Sequence, residues 1–140
     1  MDRSFTYKSE SGLLSYLATV CHVNAFDPAV KTAKTNDRNR FAAMWDTGCT
    51  SSVITPRVVE ALGLEPIKAM RPIAMQGVNG LEKSQAYLVD IHLPGKITAR
   101  EFTVFLKNPG DVWWDVIIGM DIISRGNFSV SNVNCRTEFS

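Results

Sequence analysis

The sequence predicts a mainly β domain with one or two short helices. Three observations carry that expectation. Apolar runs rich in Val, Ile, Phe and Tyr alternate with clusters of Gly, Pro, Asn and Asp, the punctuation of strands and turns. A Gly77-Val78-Asn79-Gly80 tip lies between two such runs, and Asn-Gly suits hairpin turns that need positive φ. Helix punctuation is confined to Thr55-Pro56 through Gly63 and to Ile122 through Gly126. A chain of 140 residues has the size of one domain and can bury a real core. Residues 1–12 read as a polar N-terminal arm and 13–140 as that single domain.

In chain order, Leu14 to Val20 mixes β-branched and aromatic residues and reads as a first strand. Asp27 to Arg40 is polar and carries Pro28, Asn36, Asp37 and Asn39, so it reads as a loop. Phe41 to Trp45 is a short apolar run that ends at Asp46-Thr47-Gly48, and Val53-Ile54 is a second short strand beyond the turn. Thr55 then serves as N-cap and Pro56 opens a helix whose stripe is Val58, Val59 and Leu62 and whose stop is Gly63. Ile73 to Gln76 and Ala86 to Leu93 flank the Gly77–Gly80 tip as hairpin arms. Strands follow at Phe102 to Leu106, Val112 to Ile118 and Phe128 to Val130, with a short helix at Ile122 closed by Gly126. Asp121 is expected to cap that helix. No internal repeat or low-complexity segment interrupts the pattern.

Fifteen basic and fourteen acidic residues leave a formal charge of +1. Without a local Lys/Arg cluster this gives no electrostatic case for nucleic acid or an anionic membrane as partner. Cys21, Cys49 and Cys135 are odd in number and far apart, with no C-x-x-C and no His/Cys grouping at metal-ligand spacing. They read as thiols in a reducing compartment. Leu13 to Ala25 is apolar, but Ser15, Tyr16, His22 and Asn24 interrupt it and Asp2 and Glu10 oppose a basic n-region. It is too short to span a bilayer, so a strand in a cytoplasmic protein is expected. His22 and His92 read as ordinary strand residues, and Trp113 and Trp114 as surface and core packing.

Asp46 is the one residue that breaks the apolar logic of its neighbourhood. A carboxylate at the end of a core strand is costly unless it is paired, solvated or used. The bland reading is a turn or cap aspartate. Asp-Thr-Gly alone is weak evidence, since it arises by chance in roughly a few per cent of chains this long. Its context is sharper. An apolar strand leads in, a second strand and a short helix follow, a Gly-tipped hairpin comes next, and Ile117-Ile118-Gly119-Met120-Asp121 repeats the apolar-run-to-Gly device before another helix.

That ordered set resembles the retropepsin-like family of aspartic proteases, which holds the retroviral proteases and their cellular and bacterial relatives. The resemblance covers roughly residues 41 to 130 and rests on Trp45-Asp46-Thr47-Gly48-Cys49, the hairpin at Gly77 to Gly80, and Ile117 to Asp121. It implies a single-lobe acid protease fold, closed and barrel-like, with a flap hairpin. It implies a catalytic Asp46 with Thr47 and Gly48, and a substrate-facing set of Gly77, Val78, Asn79, Gly80, Cys49 and Ile118. One Asp-Thr-Gly per chain cannot build a two-carboxylate site alone, so the resemblance implies a homodimer that cleaves a peptide or protein substrate and needs no metal or organic cofactor. Trp45 stands where the family usually has a smaller aliphatic residue, and Cys49 where Ala is usual. Thr50 and Met120 stand where retroviral members carry an Asp–Arg ion pair, and Gly119-Met120-Asp121 is closer to cellular and bacterial relatives. The rival reading is a protease-like fold kept as a dimerisation or peptide-binding module. A domain that cleaves only its own precursor is compatible with the first reading.

Overall fold

Strands dominate the computed structural model of the chain, in which the described residues are 3–8, 17–31, 35–67, 73–77, 80–131 and 133–140. They are β1 (Phe5–Lys8), β2 (Leu17–Ala25), β3 (Arg40–Trp45), β4 (Val53–Ile54), β5 (Ile73–Gly77), β6 (Gly80–Ser84), β7 (Ala86–Leu93), β8 (Ile97–Leu106), β9 (Val116–Ile118), β10 (Phe128–Ser131) and β11 (Arg136–Phe139). Helix α1 (Pro56–Leu62) follows β4, and α2 (Met120–Ile123) follows β9. None of the helices among the described residues is long and apolar enough to cross a membrane.

Six strands close a barrel in the order β2-β3-β9-β4-β8-β7, with β3/β9 and β4/β8 parallel and the other pairs antiparallel. The period-2 alternation of strands decides what each residue does. Cys21, Val23, Ala43, Ile54, Val104, Val116 and Ile118 point inward and are fully buried. Burying an Ile or Val side chain stabilises by about 1.5–3 kcal/mol, so each of the aliphatic members of this inner set contributes to holding the barrel closed. Their neighbours Val53, Ile117, Phe105 and Ala86 turn outward. There they form a second apolar cluster with Trp114, against which Met44, Cys49, Ile67 and Val112 pack.

Trp45 closes one end of the barrel. Its ring stacks on Phe128 at 5.8 Å with an interplanar angle of 3°, and meets Phe139 at 5.1 Å and Phe5 at 5.3 Å. Those three phenylalanines share one cross-strand row, Phe5↔Phe139↔Phe128, of a small sheet ordered β1-β11-β10. The Trp45 Nε1–H donates to Thr19 Oγ1 at 2.9 Å. Trp45 is therefore the seat on which the terminal sheet rests.

Several sequence expectations change in the structure. The polar lead-in contains a strand, β1, because Phe5 packs on Trp45 while the rest of the strand faces out. The hairpin pairs Ile73–Gly77 with Gly80–Ser84, so its second arm is β6, and Ala86–Leu93 is a barrel strand in its own right. Only Val116–Ile118 of the run from Val112 is strand, because Trp114 folds back onto the outer cluster. Helix α1 starts after Thr55 and ends at Gly63 in the left-handed region (φ 59), as its punctuation predicts, although the Thr55 hydroxyl makes no cap bond.

Candidate active site

β3 delivers Asp46 to the surface. The Asp46 N–H donates to Ile118 O at 2.9 Å, one step beyond the Trp45↔Ile118 pair, so the parallel β3/β9 ladder fixes the backbone up to that residue. The chain then turns sharply: Cys49 N–H donates to Asp46 O at 3.2 Å, and Gly48 N–H donates to Asp46 Oδ1 at 2.8 Å. A Cβ on Gly48 would stand 3.2 Å from that same Oδ1, so glycine leaves the carboxylate its room. Asp46 is half-buried, whereas Thr47 and Gly48 are exposed. Among the described residues no Lys or Arg is in ion-pair contact with Asp46.

The segment after β9 grips this turn from behind. Met120 N–H donates to Cys49 O at 2.7 Å and Asp121 N–H to Thr50 O at 3.1 Å. The Asp121 carboxylate accepts from Ser52 N–H (Oδ2, 2.8 Å) and from the Ser52 hydroxyl (Oδ1, 2.7 Å), and Ser52 Oγ in turn accepts from Gly119 N–H at 2.9 Å. Gly119 sits so close that a Cβ there would be 2.7 Å from Cys49 O. Asp121 was expected as the cap of α2; the N-cap position belongs to Gly119, and Asp121 lies in the first turn. Its Oδ1 does accept from Ile122 N–H at 2.9 Å, but the same carboxylate reaches across to Ser52. Backbone bonds at Thr50 and Met120, with the Asp121–Ser52 contact beside them, join the two motifs.

Cys49 is half-buried, with its thiol on Ser51 O at 2.9 Å. Burial, and then the nearby Asp46 charge, push that thiol up from its ordinary value. Cys49 joins the outer apolar cluster. Ile118 does not line a cleft: alternation turns its side chain into the barrel interior, where it is fully buried, and it serves the site through the carbonyl that receives Asp46 N–H. The outward neighbour is Ile117, which packs in the same cluster as Cys49. Of the hairpin residues, Gly77 and Gly80 face each other in the β5/β6 register, and Val78 and Asn79 lie outside the described residues. Gln85, just after the hairpin, accepts from Leu106 N–H, and Ile67, the last described residue before it, donates to Ala86 O, each at 2.8 Å.

Ser52 and Asp115 give no sequence signal as part of this region, and Asp121 reads within its motif only as a helix cap. Ser52 and Asp121 are separated by 69 positions, so only the folded topology reveals their pairing. Asp115, expected as a strand residue, is a buried carboxylate that pairs with Arg57 of α1 and accepts from Ala42 N–H at 3.2 Å. It ties α1 to the strand that carries Asp46. Among the described residues there is no grouping of three or more His, Cys, Asp or Glu suited to a metal ion.

A family model described as gag-polyprotein putative aspartyl protease matches residues 32–125 of the chain. The fold is similar to that of the EIAV protease in complex with the inhibitor HBY-793, with a TM-score of 0.57 at 16% identity, over 84% of this chain and 93% of that one. It is also similar to a retropepsin-like aspartic protease from Rickettsia conorii (TM-score 0.55, 13% identity, 91% and 96% covered). The simian foamy virus (mac) protease aligns at 0.50 with 14% identity, over 77% and 92% of the two chains. No curated protein sequence matches the chain significantly.

Proposed function

Because the chain belongs to the retropepsin-like aspartic protease family, we propose that it is an aspartic endopeptidase whose Asp46 works together with the Asp46 of a second copy. The observation that carries this reading is the state of that carboxylate: half-buried, braced by its own turn, with no Lys or Arg in ion-pair contact among the described residues, on a loop whose next two residues are exposed. The brace itself is that of an ordinary Asx turn; what favours a working carboxylate is the absence of a charge partner among the described residues together with the family match. One Asp-Thr-Gly per chain makes a two-fold axis the way to place two carboxylates together, since an isologous contact brings each residue to its own copy.

Two carboxylates about 3 Å apart cannot both ionise, so the pair holds one proton and presents an acid and a base at once. The ionised member takes a proton from water as the oxygen attacks the peptide carbonyl. The protonated member donates to the carbonyl oxygen, and the roles then exchange to release the amine. The pair titrates as a unit, so neither apparent pKa belongs to one subunit. Thr47, exposed beside Asp46, would meet its counterpart at the axis, and Gly48 leaves the carboxylate unobstructed. The β5/β6 hairpin would cover an extended peptide bound by strand pairing. The outer cluster reaches the site through Cys49, and its half-buried fringe of Met44, Cys49, Ile67 and Val112 would meet substrate side chains.

The test is cleavage of a diverse peptide library read by mass spectrometry, with wild type, Asp46→Asn, and wild type plus a transition-state mimic such as pepstatin. Cleavage by wild type alone, blocked by the mimic, is expected. Equal cleavage by Asp46→Asn would remove Asp46 from the mechanism. Peptide binding without cleavage by either protein would favour the binding-module reading.

A further inference from the structure

The turn that carries Asp46 has its other end held by a residue on a different element. From Cys49 to Ser52, four groups are bonded to the segment Gly119–Asp121: Cys49 O, Thr50 O, Ser52 N–H and the Ser52 hydroxyl. Ile118, just before that segment, receives Asp46 N–H. A single stretch of four residues, 118–121, therefore grips both ends of the catalytic turn.

Within this grip Ser52 and Asp121 act as a directed pair. Ser52 is fully buried. Its one hydroxyl proton goes to Asp121 Oδ1 at 2.7 Å, which leaves a lone pair aimed at Gly119 N–H at 2.9 Å. A carboxylate suits this arrangement because it is acceptor-only and must receive both the hydroxyl and Ser52 N–H. An amide could accept one of them but would point its own N–H at the other donor, or force the hydroxyl to turn away from Gly119. The pair lies one residue beyond the Cys49–Ser51 turn contact, and within electrostatic reach of Cys49 beside Asp46.

We propose that Asp121 is a positioning residue for the reaction: acting through Ser52 and Gly119, it sets the place of the Asp46 carboxylate without touching substrate. The inference rests on the proposed function for its kinetic consequence but not for its structural one. A displacement of about 1 Å at a reacting group can cost about a hundredfold in rate. Asp121→Ala should therefore lower kcat by one to two orders of magnitude (roughly 10- to 100-fold) with KM within about threefold of wild type. Asp121→Asn should fall between the two. Ser52→Ala should lose a similar factor, and the Ser52→Ala/Asp121→Ala double variant little more than either single one, because the two act as a unit.

The experiment measures kcat and KM for these variants beside Val23→Ala, a fully buried barrel-core change on β2, where Val23 pairs with Ile91 of β7, that serves as a control for lost stability. It also measures amide hydrogen exchange in all of them. The expected result is a kcat loss in the Asp121 and Ser52 variants well beyond that of the control, and exchange at Cys49, Ser52, Gly119 and Met120 at least about tenfold faster while barrel amides keep their protection. A kcat loss no larger than the control's at equal unfolding temperature overturns the proposal. So does exchange that is unchanged, or that rises equally throughout the barrel. If wild type cleaves no peptide, the endopeptidase reading fails, and the exchange pattern alone decides whether Asp121 holds the turn.

Discussion

Replacing Gly119 by alanine adds one methyl group at a point where backbone from the Asp46 turn passes. The Gly119 φ of −96° is open to any residue, so the substitution changes sterics alone. The new Cβ would stand 2.7 Å from Cys49 O, 3.0 Å from Ser51 C and 3.2 Å from Ser52 N. Ordinary carbon contacts begin near 3.4 Å, so the turn or α2 must move by about 0.7 Å along the Cys49 direction. The atoms in the way are backbone and cannot swing aside. Moving them strains the Met120 N–H to Cys49 O bond at 2.7 Å and the Gly119 N–H to Ser52 Oγ bond at 2.9 Å. Overpacking of this kind typically costs about 1–3 kcal/mol. The expected outcome is that loss in urea denaturation, with peptide cleavage down about a hundredfold because the shift falls on residues next to Asp46. Wild-type stability together with wild-type cleavage in Gly119→Ala would refute the close packing of the two motifs.

Two further predictions follow from features away from the carboxylate. Trp45→Val removes the ring under Phe5, Phe128 and Phe139 and leaves the Thr19 hydroxyl without its donor; it should cost about 3–5 kcal/mol in urea denaturation, and a loss below about 1 kcal/mol would refute the seat assigned to Trp45. Burial, reinforced by the nearby Asp115 charge, pushes the Cys21 thiol from its ordinary value of 9.0 up to about 12. The raised folded value means that its contribution is fully present below pH 9.0 and is lost as pH rises towards about 12, where unfolded chains shed the proton first. Wild type should thus lose stability between pH 9 and 11 faster than Cys21→Val, and parallel curves would contradict it.

What the sequence reveals and what it hides divides along physical lines. β3, β4, α1 and the Gly119 motif are legible because each is written locally: an apolar run, a Pro at a helix start, a Gly at a stop. β1 and β11 are not: β1 has Phe5 as its one packed position and exposes the rest, and β11 buries Phe139 beside a polar Thr137, so neither carries enough apolar positions to stand out. β6 is hidden by its Glu-Lys-Ser composition, since its pairing with β5 follows from the hairpin register and leaves no apolar run in the sequence. The inward turn of Ile118 and the outward turn of Ile117 depend on register, where one residue reverses every assignment. In the site, Asp46 is legible as a charge at the end of an apolar run. Ser52 and Asp115 read as ordinary turn and strand residues, and Asp121 as a helix cap, until the barrel brings each to its partner.

The central claim, one shared site from two copies, is tested most directly by mixing subunits. Wild type and Asp46→Asn chains are equilibrated at increasing mutant fraction and constant total concentration, with dimerisation followed by sedimentation. If each site needs an Asp46 from both subunits, a mixed dimer is inactive and cleavage falls as the square of the wild-type fraction. A linear fall, or full activity in a sample that sediments as monomer, would contradict the account.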